Sequence, residues 1–303
     1  MKSVCRLLHL EHDAGMSATT TIVPVHETEL CIEERGLATG LPLIVLHGGP
    51  GLDRHEFADY LDPLGELCRL VLVDQREQGA SARGTDPATW TLSQLASDVS
   101  AVAAACGWER YAVLGHSYGA FVALQHAADA PGAAVATIVS GGVPSSRFLA
   151  GVEKELATFQ PESLRQQVAD SWAREATVQT AEQARQLMHD QLPFHFADPL
   201  DPRIADYEKR TSATVYSPAV LRHASLEGGG LAIEVEGALP HVHQPVLVLT
   251  GRHDRVCTVA ASERIAELVP GAELHVFEQS GHMTFVEQPK EYVSVVRAFL
   301  ARL

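Results

Sequence analysis

The chain has 303 residues, of which 46% are hydrophobic and 20% charged, the balance of a globular protein that buries a large core. Its formal net charge of −15 at pH 7 repels polyanions, which argues against nucleic acids and anionic membrane surfaces as partners. The five cysteines are scattered and include no CxxC pair, so we expect neither a disulfide framework nor a zinc site, and a reducing, cytoplasmic location.

The first 17 residues lack the pattern of a folded element. The apolar pair Leu7 and Leu8 is interrupted at once by polar residues, so the run is too short for the hydrophobic region of a signal peptide. No later stretch approaches the roughly 18 to 20 apolar residues that a membrane span needs. We therefore expect residues 1–17 to be a disordered tail or the product of an upstream translation start, with Met16 as the second candidate start.

Strand-type runs alternate with helix-type runs along most of the remaining chain. The first two strands are close enough to pair antiparallel, whereas the later ones are continuous apolar runs that suit a parallel sheet buried on both faces. Thr91 begins a T-x-x-Q capping box that opens the first helix. The sequence predicts strands at 20–25, 29–34, 43–46, 68–75, 111–117, 135–142, 245–254 and 273–280, and helices at 91–106, 118–129, 259–269 and 289–303.

The segment 144–237 interrupts this alternation. Gln, Glu, Arg and Ala dominate it and no buried-strand run occurs, which predicts a helical insertion within one domain. Sheets of this kind bind ligands at the carboxyl ends of their strands, where the insertion would form a cap. We therefore predict an α/β fold with a mostly parallel sheet of about eight strands, helices on both faces, and a core made of residues 18–143 and 238–303. Aromatic residues of the cap are expected in its own core or on the pocket walls: Trp172, Phe194, Phe196 and Tyr207.

The clearest functional signal is the G-x-S-x-G motif of residues 115–119, between a predicted buried strand and a helix. On such a tight turn the oxygen of Ser117 is exposed at the helix N-terminus, where free N–H groups favour developing negative charge. The flanking glycines avoid collisions with neighbouring elements. We predict Ser117 as a nucleophile; the alternative is a glycine-rich turn with a helix-capping serine.

A serine nucleophile needs a base, and the base needs an orienting acid. Asp254 ends one late strand, and His282 follows the next one, with Glu287 five residues later. Both side chains should emerge at the same sheet edge as Ser117, and the chain order Ser, Asp, His is the order of this fold. We predict His282 as base and Asp254 as acid; the alternatives are a hydrogen-bonding loop histidine and an ordinary turn aspartate.

The glycine-rich run of residues 47–51 follows the first strand of the parallel set. Glycine lets the backbone approach a substrate oxygen, so we predict the N–H groups of Gly49 and Tyr118 as the oxyanion hole. A turn that needs glycine only for its geometry is the alternative. His47 is expected to be a structural hydrogen-bonding residue, and Asp74 to support the loop that follows it.

These motifs resemble the α/β-hydrolase superfamily from about residue 20 onward. Within it, HGGPG (47–51) resembles the prolyl aminopeptidase, or proline iminopeptidase, group of peptidases. DQREQGAS (74–81) resembles the DQRGxGxS segment of that group, with Glu77 in place of a glycine. Those peptidases usually carry Gly-Gly-Ser-Trp-Gly where this chain has GHSYG, a form common among esterases, lactonases and carbon–carbon bond hydrolases.

The resemblance also implies glutamates that bind the free amino terminus of the substrate. In the family they come from the cap or from the neighbourhood of the acid of the triad. Here Arg255 follows Asp254, and the nearest cap candidates are Glu208 and Glu227.

Together the residues predict attack on a carbonyl carbon and hydrolysis of an acyl-enzyme by water. The predicted function is a serine hydrolase most like a prolyl aminopeptidase, acting on a small molecule or short peptide. A carboxylesterase, lactonase or carbon–carbon bond hydrolase is the alternative, and a non-catalytic ligand-binding protein is a minor one. We expect no cofactor and no metal, because the chain lacks a dinucleotide fingerprint, a Walker A lysine and a metal-ligand set. The sequence leaves open whether the chain forms a homo-oligomer.

Overall fold

A nine-stranded sheet runs through the computed structural model, which describes residues 6–8, 18–226 and 232–303. The strand order is β1-β2-β3-β5-β4-β6-β7-β8-β9. The pairs β1–β2, β2–β3 and β3–β5 are antiparallel, and the other pairs are parallel. The strands are β1 (Arg6–Leu8), β2 (Thr19–Val25), β3 (Thr28–Gly36), β4 (Leu41–Leu46), β5 (Cys68–Val73), β6 (Ala112–His116), β7 (Ala136–Ser140), β8 (Val246–Gly251) and β9 (Glu273–Phe277).

The predicted α/β-hydrolase fold is confirmed, and the sheet has one strand more than the sequence pattern indicated. The additional strand comes from the expected tail, since Arg6 pairs with Ile22 and Leu8 with Thr20 at the edge of the sheet. An edge strand needs only backbone hydrogen bonds from one neighbour, so three residues without an apolar pattern can form one. The rest of residues 1–17 lies outside the described residues.

Ten α-helices connect or extend these strands in the described part of the chain. Helix α1 begins after Thr91, whose side-chain oxygen accepts the N–H of Gln94 at 3.2 Å. The side chain of Gln94 donates to Asp98 at 3.1 Å, so only the Thr91 half of the predicted capping box forms. The helices are α1 (Leu92–Ala105), α2 (Tyr118–Asp129), α3 (Val152–Thr158), α4 (Glu162–Arg174), α5 (Ala181–His195), α6 (Arg203–Arg210), α7 (Pro218–Ser225), α8 (Val259–Leu268), α9 (Thr284–Glu287) and α10 (Pro289–Leu300). None of them is long and apolar enough to cross a membrane.

The central strands are buried on both faces, which explains their continuous apolar runs. In β4, Ile44 belongs to the hydrophobic cluster under α1, α2 and α8, whereas its neighbour Val45 belongs to the cluster under α10. Val113 and Leu114 of β6 are divided between the two clusters in the same way. Because successive side chains of a strand point to opposite faces, two cores require apolar residues at every position.

Helices α3 to α7 lie between β7 and β8, in residues 144–237, here called the helical segment. Its two ends meet, because Ser145 and Glu234 form an isolated antiparallel bridge. Helix α3 has no buried residue, and α4 buries only Val168 and Ser171. Two small apolar clusters, rather than one large core, pack the segment: Val178, Ala184, Leu187 and Leu221 in one, and Phe159, Val168 and Phe194 in the other.

Candidate active site

Ser117 lies on the turn between β6 and α2 with φ of +52° and ψ of −117°, a backbone conformation that residues other than glycine rarely adopt. Close contacts explain the flanking glycines. A Cβ on Gly115 would lie 2.0 Å from the carbonyl oxygen of Gly119, and a Cβ on Gly119 would lie 2.2 Å from that of Leu46. The N–H of Ser117 donates to the carbonyl oxygen of Ser140 on β7 at 2.9 Å. The sheet thus holds the strained turn in place, and Ser117 lines a large cavity.

An imidazole–carboxylate pair lies beside this turn. Nδ1 of His282 and Oδ2 of Asp254 are 2.7 Å apart, and both residues are buried. The other carboxylate oxygen, Oδ1, accepts the N–H groups of Val256 and Cys257, each at 2.8 Å, which fixes the orientation of Asp254. With Nδ1 bonded to Asp254, Nε2 is the nitrogen left to act on a substrate.

Burial and charge act on His282 in opposite directions. Burial disfavours the imidazolium ion, but the carboxylates of Asp254 first, then Glu56 and Glu287, favour it, and the pKa of His282 is raised above 6.5. Ser117 and His282 line the same cavity, yet no hydrogen bond joins their side chains among the described residues. Such hydrogen bonds are often absent without substrate and form only in the reacting complex.

Two residues on the cavity wall have backbone N–H groups without an acceptor among the described residues. Gly49, with φ of +105°, and Tyr118, the first residue of α2, both line the cavity with Ser117. Neither N–H has a hydrogen-bond acceptor within the part of the chain that the structure describes. A helix leaves its first N–H groups without internal acceptors, so Tyr118 is free to donate to a ligand. The arrangement suits an anionic oxygen.

Side chains beneath the glycine-rich loop of residues 47–51, here called the glycine loop, hold it against the sheet. Nδ1 of His47 lies 2.9 Å from the carbonyl oxygen of Gly48, and its Nε2 accepts the N–H of Gln75 at 3.2 Å. Oδ1 of Asp74 accepts the N–H of Arg54 at 3.0 Å, and the two side chains also form an ion pair. Both His47 and Asp74 are fully buried. They tie the glycine loop to the loop after β5.

The DQREQGAS loop has a structural explanation for its unusual glutamate. Glu77 has φ of +62°, the left-handed region in which the family motif places glycine. Its carboxylate accepts the N–H and the hydroxyl of Thr85 at 2.6 and 2.8 Å. Next to it, buried Arg76 donates two hydrogen bonds to Asp98 at 2.9 and 2.8 Å. These contacts stabilise a loop whose glycine has been replaced.

Three imidazole rings lie together at the cavity floor. The ring of His282 is 4.9 Å from that of His116 and 5.4 Å from that of His195. Burial, together with the positive charge that His282 can carry, lowers the pKa of His195 to about 3 and that of His116 well below its usual value. Only His282 has a carboxylate partner, so it is the ring that can gain a proton near neutral pH.

The helical segment meets the core at residues 194–197. Arg255 donates to the carbonyl oxygens of residues 194, 196 and 197 at 3.1, 2.6 and 3.1 Å. The backbone N–H of His282 donates to the carbonyl oxygen of residue 195 at 2.7 Å. Glu287 accepts the N–H groups of residue 197 and of Gly281, each at 2.8 Å. The loops that carry Asp254 and His282 are therefore bonded to the segment directly.

A cavity of about 730 Å³ lies between the sheet edge and the helical segment. Of the aromatic residues expected there, Trp172 and Tyr207 line it, whereas Phe194 and Phe196 are buried in apolar clusters. Glu208 also lines it and is ion-paired with His189, and Glu227 lies outside the described residues. The charged residues on the walls are four glutamates and one arginine: Glu56, Glu153, Glu175, Glu208 and Arg185. Burial raises the pKa of Glu56 to about 7 and also raises the pKa of Glu175.

Several residues of the site were not found by sequence reasoning. Glu56 is 4% exposed and its carboxylate accepts the N–H of Gly48 at 2.5 Å, beside Ser117. The carbonyl oxygen of His195 accepts the N–H of His282. Arg255, known from the sequence only as the residue after Asp254, donates to the carbonyl oxygen of Phe196. A lone glutamate or arginine in a loop is ordinarily a surface residue, and a lone histidine carries no pattern of its own, so the sequence did not predict these contacts.

The fold agrees with the comparisons with known proteins. A model of the α/β-hydrolase fold family matches residues 42–289, so the chain belongs to the α/β-hydrolase family and is a hydrolase.

Within the family, proline iminopeptidase of Heyndrickxia coagulans is 26% identical over 269 residues, which cover 86% of this chain and 91% of the relative. The crystal structure of proline iminopeptidase from Mycobacterium smegmatis has a TM-score of 0.73 and 25% identity, covering 93% of this chain and 98% of that one. An esterase from Exiguobacterium antarcticum shares the fold, with a TM-score of 0.71 and 19% identity over 92% of this chain and 98% of that one. The resemblance to the prolyl aminopeptidase group is confirmed.

Proposed function

We propose that this chain is a serine hydrolase in which Ser117 is the nucleophile, His282 the general base and Asp254 the orienting acid. The observation that carries the proposal is the His282–Asp254 pair, 2.7 Å apart, lining one cavity with a serine on a strained strand-to-helix turn. A hydrogen-bonding loop histidine has no need of a buried carboxylate beside an exposed nucleophile. The free N–H groups of Gly49 and Tyr118 supply the oxyanion hole.

In this mechanism Ser117 Oγ attacks a carbonyl carbon while Nε2 of His282 takes its proton. Asp254 keeps the proton on Nδ1 and stabilises the imidazolium ion that forms. The carbonyl oxygen becomes an oxyanion and accepts the two N–H groups. Collapse of the intermediate expels the leaving group, which receives the proton from His282. Water, activated by the same imidazole, then hydrolyses the acyl-enzyme.

We propose an aminopeptidase specificity, with release of an N-terminal residue such as proline. The relatives named proline iminopeptidase support it, and so does the acidic wall of the cavity, which attracts a protonated amine. The helical segment would act as the cap that closes over residues 18–143 and 238–303 and selects the substrate. Its contacts with the catalytic loops at residues 194–197 support that part of the proposal.

An esterase-type specificity is the second candidate. It is supported by Arg255, which occupies the position next to the acid and donates to backbone carbonyl oxygens. A carboxylate at that position could bind an amine, and an arginine cannot. The GHSYG form of the nucleophile turn agrees with this alternative.

The test is a comparison of three kinds of substrate with the purified chain. L-proline and L-alanine p-nitroanilide carry a free amine, their N-acetyl derivatives do not, and p-nitrophenyl acetate is a small activated ester. Preference for the free amines, with loss of all turnover in Ser117→Ala, supports the aminopeptidase. Turnover of the ester without turnover of the free amines would favour the second candidate. A chain that turns over none of them and is not labelled by a fluorophosphonate at Ser117 contradicts both.

A further inference from the structure

Glu56 is a buried acid close to the proposed nucleophile Ser117. Glu56 lies in the short turn 54–57 that follows the glycine loop, and its Oε2 accepts the N–H of Gly48 at 2.5 Å. A methyl group added to Gly48 would lie 2.7 Å from Oε1 of Glu56 and 3.1 Å from Cβ of Ser117. The carboxylate, the glycine loop and the nucleophile are therefore immediate neighbours.

One oxygen of this carboxylate has no partner. Oε1 makes no hydrogen bond or ion pair with any described residue, although Glu56 is only 4% exposed and lines the cavity. In its ionised form a carboxylate accepts hydrogen bonds and cannot donate them, so the free oxygen of ionised Glu56 can accept a donor from outside the chain. Glu56 and Ser117 line the same cavity, so a donor on a bound substrate can reach this oxygen.

The other glutamates of the cavity are differently placed. Both oxygens of Glu175 are used, by Gln191 at 2.7 Å and by Ser225 at 3.1 Å. Glu208 pairs with His189, and Glu153 is exposed to solvent. Among the described residues of the cavity wall, Glu56 thus combines burial, a free oxygen and proximity to the nucleophile.

We propose that Glu56 is the binding site for the protonated α-amino group of an aminoacyl substrate. The proposal rests on the aminopeptidase specificity proposed above and names the residue that binds the amino group of the substrate. In an aminoacyl group the amine is two bonds from the carbonyl carbon that Ser117 attacks, so it must lie close to the nucleophile and the oxyanion hole. Glu56 is hydrogen-bonded to Gly48 of the glycine loop, which also carries the Gly49 N–H of the proposed oxyanion hole. The position after Asp254, where a carboxylate could also bind the amine, is occupied by Arg255.

The electrostatics of Glu56 agree with a cationic ligand. Burial raises the pKa of Glu56 to about 7; the Gly48 N–H and His282 lower it, and Asp53 raises it further. An ammonium group in hydrogen-bond contact would favour the ionised carboxylate and relieve the cost of burying it. A substrate without the amine leaves that cost unrelieved.

The experiment removes the charge and keeps the shape. In Glu56→Gln the amide oxygen can still accept the N–H of Gly48. Substrates are paired: L-proline p-nitroanilide with cyclopentanecarbonyl p-nitroanilide, and L-alanine p-nitroanilide with isobutyryl p-nitroanilide, so that carbon replaces the amine in each pair. We expect kcat/KM for the amines to fall by about 10- to 100-fold, as for loss of a hydrogen bond to a charged group, and to change by less than about 3-fold for the carbon analogues.

Two controls keep the proposal open to refutation. Fluorophosphonate labelling of Ser117 needs the triad but no amine. Because Glu56 also contributes to the raised pKa of His282, the rates are compared on the alkaline plateau of the pH profile, where His282 is neutral in both proteins, and there the labelling rate of Glu56→Gln should match that of the wild type. Equal losses of labelling and of both kinds of substrate would show that Glu56 only positions the loop, and would overturn the proposal. Glu208→Gln changes a second carboxylate of the cavity and should keep the preference for amines. If that variant loses the preference and Glu56→Gln keeps it, the proposal is also overturned.

The outcomes separate this proposal from the one it rests on. A wild type that does not distinguish each amine from its carbon analogue contradicts the aminopeptidase specificity itself. A wild type that does distinguish them, with the same discrimination in Glu56→Gln, contradicts only the role of Glu56.

Discussion

The carboxyl edge of the sheet and the helical segment face each other across one cavity, but they are built differently. At the sheet edge neighbouring backbone segments are packed so closely that there is no space for a side chain at two glycines: a Cβ on Gly115 or Gly251 would lie 2.0 or 1.9 Å from a neighbouring carbonyl oxygen. In the helical segment, α3 buries nothing and the apolar clusters are small. The groups proposed for chemistry, and Glu56 proposed for amine binding, lie at the closely packed sheet edge, whereas the helical segment, proposed to contact the rest of the substrate, is more loosely packed.

The two regions are joined at residues 194–197. Arg255, Glu287 and the N–H of His282 all bond to this short stretch. The loops that carry Asp254 and His282 therefore contact the helical segment through these hydrogen bonds. A change in the sheet edge should abolish chemistry, a change at the joint should loosen both regions, and a change on the segment wall should alter selectivity alone.

The largest effect is expected at the strained turn. Ser117→Ala should lower kcat by roughly 10⁶-fold, the loss that follows removal of the nucleophile in a serine protease. The substitution removes one oxygen from a half-buried side chain, so the fold should persist. Steady-state rates and the circular dichroism spectrum measure the two consequences. A variant that keeps more than about a thousandth of the wild-type rate would contradict the role of Ser117.

The next effect concerns the acid. Asp254→Asn should lower kcat by roughly 10⁴-fold, because the imidazole loses its orientation and its productive tautomer. The pKa of His282 is raised and its neutral form is the base, so wild-type kcat/KM should fall as the pH drops through a value above 6.5. In Asp254→Asn this fall of kcat/KM, the acid limb of the pH profile, should move to lower pH, because the carboxylate that raises the pKa of His282 is lost. A limb that does not move would indicate that another group titrates.

The joint between the two regions gives an intermediate effect. Arg255→Ala removes three hydrogen bonds to the stretch 194–197 and should lower the free energy of unfolding by about 2 to 3 kcal/mol. We expect kcat/KM to fall about 10-fold, since the support of the base loop is weakened. Thermal unfolding and hydrogen exchange of residues 194–197 are the measurements. Arg252→Ala is the matched control: that arginine pairs with Glu278 at the surface and should change neither result.

The smallest effect is expected on the wall of the segment. Trp172 lines the cavity and packs on Phe194 with ring centroids 5.8 Å apart. Trp172→Ala should raise KM for the bulky p-nitroanilides about 10-fold, because it removes apolar contact area without touching the reacting groups. The rate with p-nitrophenyl acetate should stay within about 2-fold of the wild type. A large loss of kcat for both substrates would mean that the segment also positions the sheet edge.

Most of the fold is encoded in local sequence patterns. Apolar runs with residues facing two cores identified β4 to β8, the Thr91 capping motif marked the start of α1, and the glycines at 115 and 119 marked the turn of Ser117. Strand β1 was not predicted, because three residues at a sheet edge depend on a partner strand and not on their own pattern. The same limit applies to the ends of the helices in the segment.

Sequence alone therefore specified the class of fold, the chain order of Ser117, Asp254 and His282, and the loop that bears Gly49. Periodicity, glycine sterics and strand direction are local properties, so neighbouring residues suffice to express them. Only the tertiary structure decided that Glu56 lies next to Ser117 with one free oxygen, and that Arg255 faces residues 194–197. Those contacts join segments far apart in the chain, and whether a charged side chain is buried or solvated depends on which distant backbone it meets.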